Sequence, residues 1–321
     1  MSDPLDAVSE SVFPVARAVA AGLATSRARR HDLVAVSRGL RRRRDVPAAP
    51  LDVALAHARR DRSLVVSHAS AAQAWGMWLP AEAEQRVHLS RVRPGSQPRI
   101  AGVAGHRIRI DPATGLTVLG VGDKSFTVTT PERTWTDLAS MGLTREDLIV
   151  AGDALLRRRD GPGGEVAAGR QHPLSSLADL GVAVVEARGV TGWRLLGEAL
   201  PHLRERSDSP QETRLRVRLV GAGFPEPQVN PGVPLVWDAW GRILRSTPVD
   251  LYFAAAKVAL QFEGEHHFSR ARQYRRDMRR DEELRDVGVE TVRVDSAVFG
   301  AGEWARFMAR LQRLLTTRGG A

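Results

Sequence analysis

Between residues 234 and 294, short apolar runs bounded by turn residues alternate with one long charged segment, and few folds accept that order. Pro234-Leu235-Val236-Trp237, Pro248-Val249-Asp250-Leu251-Tyr252-Phe253 and Lys257 to Phe262 read as strands, with Asp238 to Gly241 as a turn between the first two. Ala271 to Val287 reads as a helix closed by Gly288, its inner stripe carrying Tyr274, Met278, Leu284 and Val287. Val289 to Val294 returns as a strand, and Trp304, Phe307, Leu311 and Leu314 mark a closing helix. Strands and helices interleaved this closely require an α/β arrangement.

The 321 residues suffice for a multi-domain protein, and 43% hydrophobic content can fill proper cores. Punctuation suggests a segment at 1–48, a mixed α+β domain at 49–160, a helical linker at 161–206 and a last domain at 207–321. Cysteine is absent, which excludes disulfides, thiolate metal sites and a cysteine nucleophile. No long uncharged apolar run is present, and the Ala-rich stretch from Val15 to Thr25 lacks the features of a signal peptide, so no membrane partner and a cytoplasmic location are expected. Lys and Arg number 47 against 37 Asp and Glu, a net charge of +10 carried mostly by arginine. Such a balance favours polyanions, nucleic acid above all, although an arginine-rich composition gives the same excess.

Upstream, Ser11 to Arg30 reads as helix, and Leu33 to Arg44 as a strand, a turn and a basic tail that includes Arg41 and Arg42. A winged-helix-like segment contacting DNA through those arginines fits this order, as does a helical hairpin with a solvated charge run. In the middle segment, Ser67-His68 to Gly76 and Thr130-Pro131 to Leu138 begin like capped helices. His68 suits a ligand or general base, but a lone histidine before a helix is more commonly structural. Leu174 to Leu200 reads as helical linker.

The chemistry concentrates at the end of the chain. Ser209-Pro210-Gln211-Glu212 has the form of a capping box, and Glu212 also shares the stripe of Leu215 and Leu219, so it can cap, face a site, or both. Gln261 and Glu263 share one face of a strand, and Asp250 on the preceding strand can face the same way. Oxygen ligands of this kind suit Mg²⁺, with Mn²⁺ as a substitute, and such an ion activates water for phosphodiester hydrolysis. Salt bridges to nearby arginines would account for the same carboxylates. Gly264 permits a tight exit into Glu265-His266-His267, where a histidine can orient water or phosphate; zinc is disfavoured without cysteine or a second spaced pair. Arg272, Arg275, Arg276, Arg279 and Arg280 cover much of the next helix and could track a phosphate backbone or pair with Glu282 and Glu283.

On Ser209 to Leu215, Val249-Asp250-Leu251, Val258 to His267, Arg275-Arg276-Asp277 and Gly288 to Val294, residues 208–313 resemble the Vsr-like branch of the PD-(D/E)XK endonucleases, catalogued as domain of unknown function 559. The resemblance implies a restriction-endonuclease-like mixed sheet flanked by helices and metal-dependent cleavage of DNA, in bacterial defence or repair. It would make Asp250 the metal-binding aspartate, Gln261 and Glu263 the paired third-strand positions, Glu212 the helix carboxylate and His267 the histidine beyond the turn. Metal ligation would fall to Asp250, Glu263 and Gln261. The chain departs from the family in having glutamine at 261, glutamate at 263 and no signature lysine, and an amide is a weaker Mg²⁺ ligand than a carboxylate. On Val34 to Leu40, Ser67-His68 to Gly76 and Thr130 to Thr134, the first 160 residues are similar to AbiEi-type antitoxins, which implies DNA binding in a toxin–antitoxin setting. That similarity supports an alternative, a catalytically degenerate DNA-binding regulator.

Overall fold

The computed structural model describes residues 10–27, 31–120, 124–157, 165–166, 170–171, 173–263 and 271–319, with the backbone alone at 165–166, 170–171 and 271–277. The chain is a mixed α/β protein and divides into two compact units, one formed by residues 1–155 and 165–201, the other by 156–164 and 202–321. No described helix is long and apolar enough to cross a membrane.

The first unit opens with β1 (Val12–Pro14), α1 (Val15–Ala20), β2 (Leu33–Ser37) and β3 (Leu40–Arg43), an antiparallel sheet in the order β1-β3-β2. The expected helix from Ser11 to Arg30 shrinks to the six residues of α1, because Val12 to Pro14 pair with Leu40 to Arg42 and Gly22, at φ +99°, ends the helical path soon after Ala20. The expected basic tail is itself the central strand. Among the described residues before β2, α1 is the one α-helix. The segment does not stand apart from the rest of its unit: α2 (Pro50–Arg60) brings Ala56 against Val12 and Leu40 in one apolar cluster.

Next come β4 (Val65–Val66), α3 (His68–Trp75), α4 (Ala81–Glu84), β5 (Val87–Val92), β6 (Val103–Ile108), α5 (Pro112–Gly115), β7 (Leu116–Leu119) and β8 (Phe126–Thr129). The strands form a five-stranded mixed sheet in the order β6-β5-β4-β8-β7. α6 (Pro131–Leu138) starts at Thr130, whose side chain accepts from the Arg133 amide, and its Trp135 is fully buried. α7 (Arg145–Leu156), the short β9 (Glu165–Val166) and β10 (Arg170–Gln171), α8 (Leu177–Glu186) and α9 (Trp193–Ala199) complete this part of the chain. The expected linker helices belong to the first unit, where α8 packs on α6 and Leu180 and Leu196 are buried.

The second unit begins with α10 (Pro210–Gly221) and continues through β11 (Gln228–Val229), β12 (Gly232–Trp237), β13 (Ile243–Pro248), β14 (Leu251–Phe253), β15 (Val258–Phe262), α11 (Ala271–Asp286), β16 (Glu290–Val294) and α12 (Ala301–Arg318). Its main sheet runs β11-β14-β15-β16, antiparallel except for the parallel β15–β16 pair that α11 connects, while β12 and β13, among the described residues, pair only with each other. Strand alternation sorts the core. Leu251, Leu260 and Val292 pack with Leu215 and Leu219 of α10 and Leu311 of α12, whereas Ala259 packs with Val233, Leu235, Leu284 and Val289. Both sheet faces are therefore covered, and polar side chains collect beyond the last apolar row.

Candidate active site

That polar row is fixed by backbone register. Gln261 pairs with Arg293, the Asn230 amide donates to the Asp250 carbonyl at 2.9 Å, and continuing the Leu251–Leu260 pairing one step sets Asp250 opposite Gln261. Asn230, Asp250, Gln261 and Arg293 thus cross the whole sheet directly after the apolar row Val229, Leu251, Leu260, Val292.

Glu212 approaches this row from the first turn of α10. Ser209 caps the helix, its Oγ accepting from the Glu212 amide at 3.2 Å, and Pro210 takes the first helical position. The capping role is realised with a change of partner: Glu212 Oε2 accepts from the Asp208 amide at 3.0 Å and from Asn230 Nδ2 at 2.8 Å. Only 6% of Glu212 is exposed. Burial first, and the Asp250 carboxylate second, push its carboxyl up to about 7. Asp250 Oδ2 accepts from the Phe262 amide at 2.6 Å. Two carboxylates held this close carry a standing electrostatic cost that a bound cation relieves.

Gln261, one step past Leu260 on β15, has its Nε2 buried and, among the described residues, without a hydrogen-bond partner. A buried donor left open is costly and favours an incoming acceptor oxygen. Glu263 does not join. Its carboxylate pairs with the Arg293 guanidinium, which also donates to Asp281 Oδ2 at 2.6 and 3.1 Å. Glu212 and Asp250 are the carboxylates here that could hold a metal; Mg²⁺ takes one or two carboxylates and completes its shell with water and phosphate. Among the described residues no three His, Cys, Asp or Glu side chains form a metal-holding group; of the expected site residues the structure brings Glu212 and Asp250 together, while Glu263 is engaged by Arg293.

Glu265 and His267 lie outside the described residues, as do the side chains of Arg272, Arg275 and Arg276. Arg279 is exposed and Arg280 half-buried on α11. Arg42 is spent on structure, donating to the carbonyls of Arg43, Arg44 and Val46, and Arg41 donates to that of Leu40. Sequence reasoning missed Asn230. Its one legible signal was a turn asparagine before Pro231, suited to the positive φ of +44° it adopts.

A second polar cluster lies in the first unit. His68 stacks on His106 with ring centroids 3.7 Å apart, and His88 Nδ1 lies 3.0 Å from His106 Nε2. Ser67 Oγ contacts both His68 Nδ1 at 3.0 Å and Ser90 Oγ at 2.6 Å. Burial lowers all three imidazoles, His88 to about 4, with neighbouring charge a second cause at His68 and His88. Near-parallel stacked rings direct their nitrogens along their own planes rather than toward one ion, so the cluster reads as a neutral packed network. His68, expected as a lone histidine before a helix, sits instead in this three-histidine cluster.

Compared with known proteins, the chain matches no family model and no curated sequence.

Proposed function

We propose that the second unit is a metal-dependent phosphodiesterase acting on nucleic acid. The observation that carries this reading is the approach of the buried Glu212 carboxyl to the Asp250 carboxylate where the polar row begins. Asp250 and Glu212 would hold Mg²⁺, or Mn²⁺ in its place, which would supply Lewis-acid chemistry for phosphodiester hydrolysis. Asn230 orients Glu212 through its side-chain amide, and Gln261 Nε2 donates to a phosphate oxygen or to the water shell. His267, after the third strand, is the group to move a proton or orient the phosphate. DNA is the expected substrate, with Arg279, Arg280 and their helix neighbours positioning its backbone.

The test is cleavage of labelled DNA in Mg²⁺, Mn²⁺ or EDTA, with Asp250→Asn alongside. Metal-dependent cutting lost in the folded variant supports the reading, and unchanged cutting by that variant overturns it. The engagement of Glu263 by Arg293 favours a second reading, a DNA-binding regulator built on a degenerate nuclease fold, for which the same assay gives salt-dependent binding without cleavage.

A further inference from the structure

The β12–β13 hairpin is buried at its base and exposed at its tip. Val233, Leu235 and Thr247 anchor its base in buried positions, but Trp237, Ile243 and Leu244 are exposed toward the tip and Trp240 retains 80% of its accessible surface. Exposure is continuous along β13 from Ile243 to Ser246, across the register shift that leaves Leu244 between the Trp237–Ile243 and Val236–Arg245 pairs. Neither β12 nor β13 pairs with any other described strand. Large apolar groups gathered on an exposed hairpin tip mark an interaction surface rather than a core.

The tip is held in one conformation. Asp238 Oδ1 accepts from the amides of Trp240 and Arg242, both at 2.9 Å, and Oδ2 accepts from Arg242 Nε at 2.6 Å. Gly241 takes the left-handed φ of +77° that closes the turn. The Arg242 guanidinium sits 5.3 Å from the Trp240 ring centroid. Charge is sorted outward: the Arg242 side chain keeps 74% of its exposure and the Asp238 carboxylate 11%. Arg245 repeats the pattern, remaining more exposed than Glu283 of α11, to which it donates at 2.8 Å. Residues 202–321 carry 20 Arg and Lys against 16 Asp and Glu.

We infer that this hairpin is a nucleobase-stacking arm that binds unpaired, single-stranded nucleic acid. An indole backed by a guanidinium offers a flat face to any base and a cation to the adjoining phosphate, which is how sequence-tolerant single-strand binders work. Duplex DNA hides its base faces and must first unstack, so the arm selects against it. Outward arginines match a polyanion. The inference rests on the nucleic-acid reading of this unit and names the strand form the unit grips.

The experiment is fluorescence anisotropy of a labelled oligo-dT strand and of a mixed-sequence duplex with the full chain in EDTA, where no metal-dependent cutting interferes. Trp240→Ala should weaken single-strand binding on the order of tenfold, leave duplex binding nearly unchanged, and leave the melting temperature intact. Trp240→Phe should restore most of the loss. Equal single-strand binding by wild type and Trp240→Ala overturns the inference, as does a dimer of the wild type that Trp240→Ala dissolves without effect on the strand. Absence of any binding at low salt overturns both this inference and the nuclease reading. Trp240-dependent binding without cleavage in Mg²⁺ sinks only the nuclease reading, and cleavage without Trp240-dependent binding sinks only the arm.

Discussion

The side-chain amide of Asn230 donates to Glu212 Oε2 at 2.8 Å. The same amide donates to the Arg206 carbonyl at 2.8 Å, and the Asn230 backbone holds the Asp250 carbonyl, so one residue ties the helix carboxylate to the strand that carries its neighbour. Asn230→Ala removes a donor from a buried carboxylate and places a Cβ-bearing residue without a local hydrogen bond at positive φ. A loss of about 1–3 kcal/mol in urea unfolding is expected. Asn230→Gly, free of the backbone strain, separates the two contributions.

Glu212→Gln should stabilise the protein in alkaline solution. The Glu212 pKa, up at about 7 against an ordinary 4.5, means that ionisation is less favourable in the folded state. Its contribution to stability is therefore complete below pH 4.5 and is lost as pH rises through 7. Glutamine keeps an acceptor for Asp208 and Asn230 without the charge. Melting at pH 5 and pH 8 should show the variant gaining on the order of 2 kcal/mol between them, while metal-dependent cleavage is lost. A variant that loses stability equally at both pH values would contradict the raised Glu212 pKa that burial first and Asp250 second produce.

The imidazole cluster should make the first unit acid-sensitive. His88, held down to about 4, contributes stability that is present above its ordinary 6.5 and lost as pH falls toward 4. Asp137, pushed up to about 6 by burial against the opposing pull of Arg133, runs the other way and loses its contribution as pH rises through 6. Comparing His88→Gln with wild type cancels the Asp137 effect. The wild type should lose about 2 kcal/mol more than the variant between pH 7.5 and pH 5 in urea titrations.

Glu263 and Asp250 should part company on substitution. The Glu263–Arg293 pair is substantially exposed on both sides, so Glu263→Gln should cost less than about 1 kcal/mol. Cleavage by Glu263→Gln should stay within a few-fold of wild type, whereas Asp250→Asn abolishes it. Equal loss in both would return Glu263 to the metal shell.

The last domain was the most legible part of the sequence. Ser209-Pro210 fixed a helix start, the apolar runs around Leu251 and Leu260 fixed strands, and Gly288 fixed a helix end, because capping chemistry and side-chain periodicity act over three or four residues. The same local reasoning overran at the N-terminus, where pairing of Val12 to Pro14 with Leu40 to Arg42 overrode the helical pattern. What only the tertiary structure decided is pairing across distance. Strand register delivers Asn230 to Glu212, sets Gln261 opposite Asp250, and hands Glu263 to Arg293 thirty residues away. Chain folding likewise stacks His68 on His106 and leaves Trp240 in solvent rather than in a core. Sequence spacing determines which face of an element a residue takes, but the partner on that face is chosen by register and packing between elements, which no local pattern encodes.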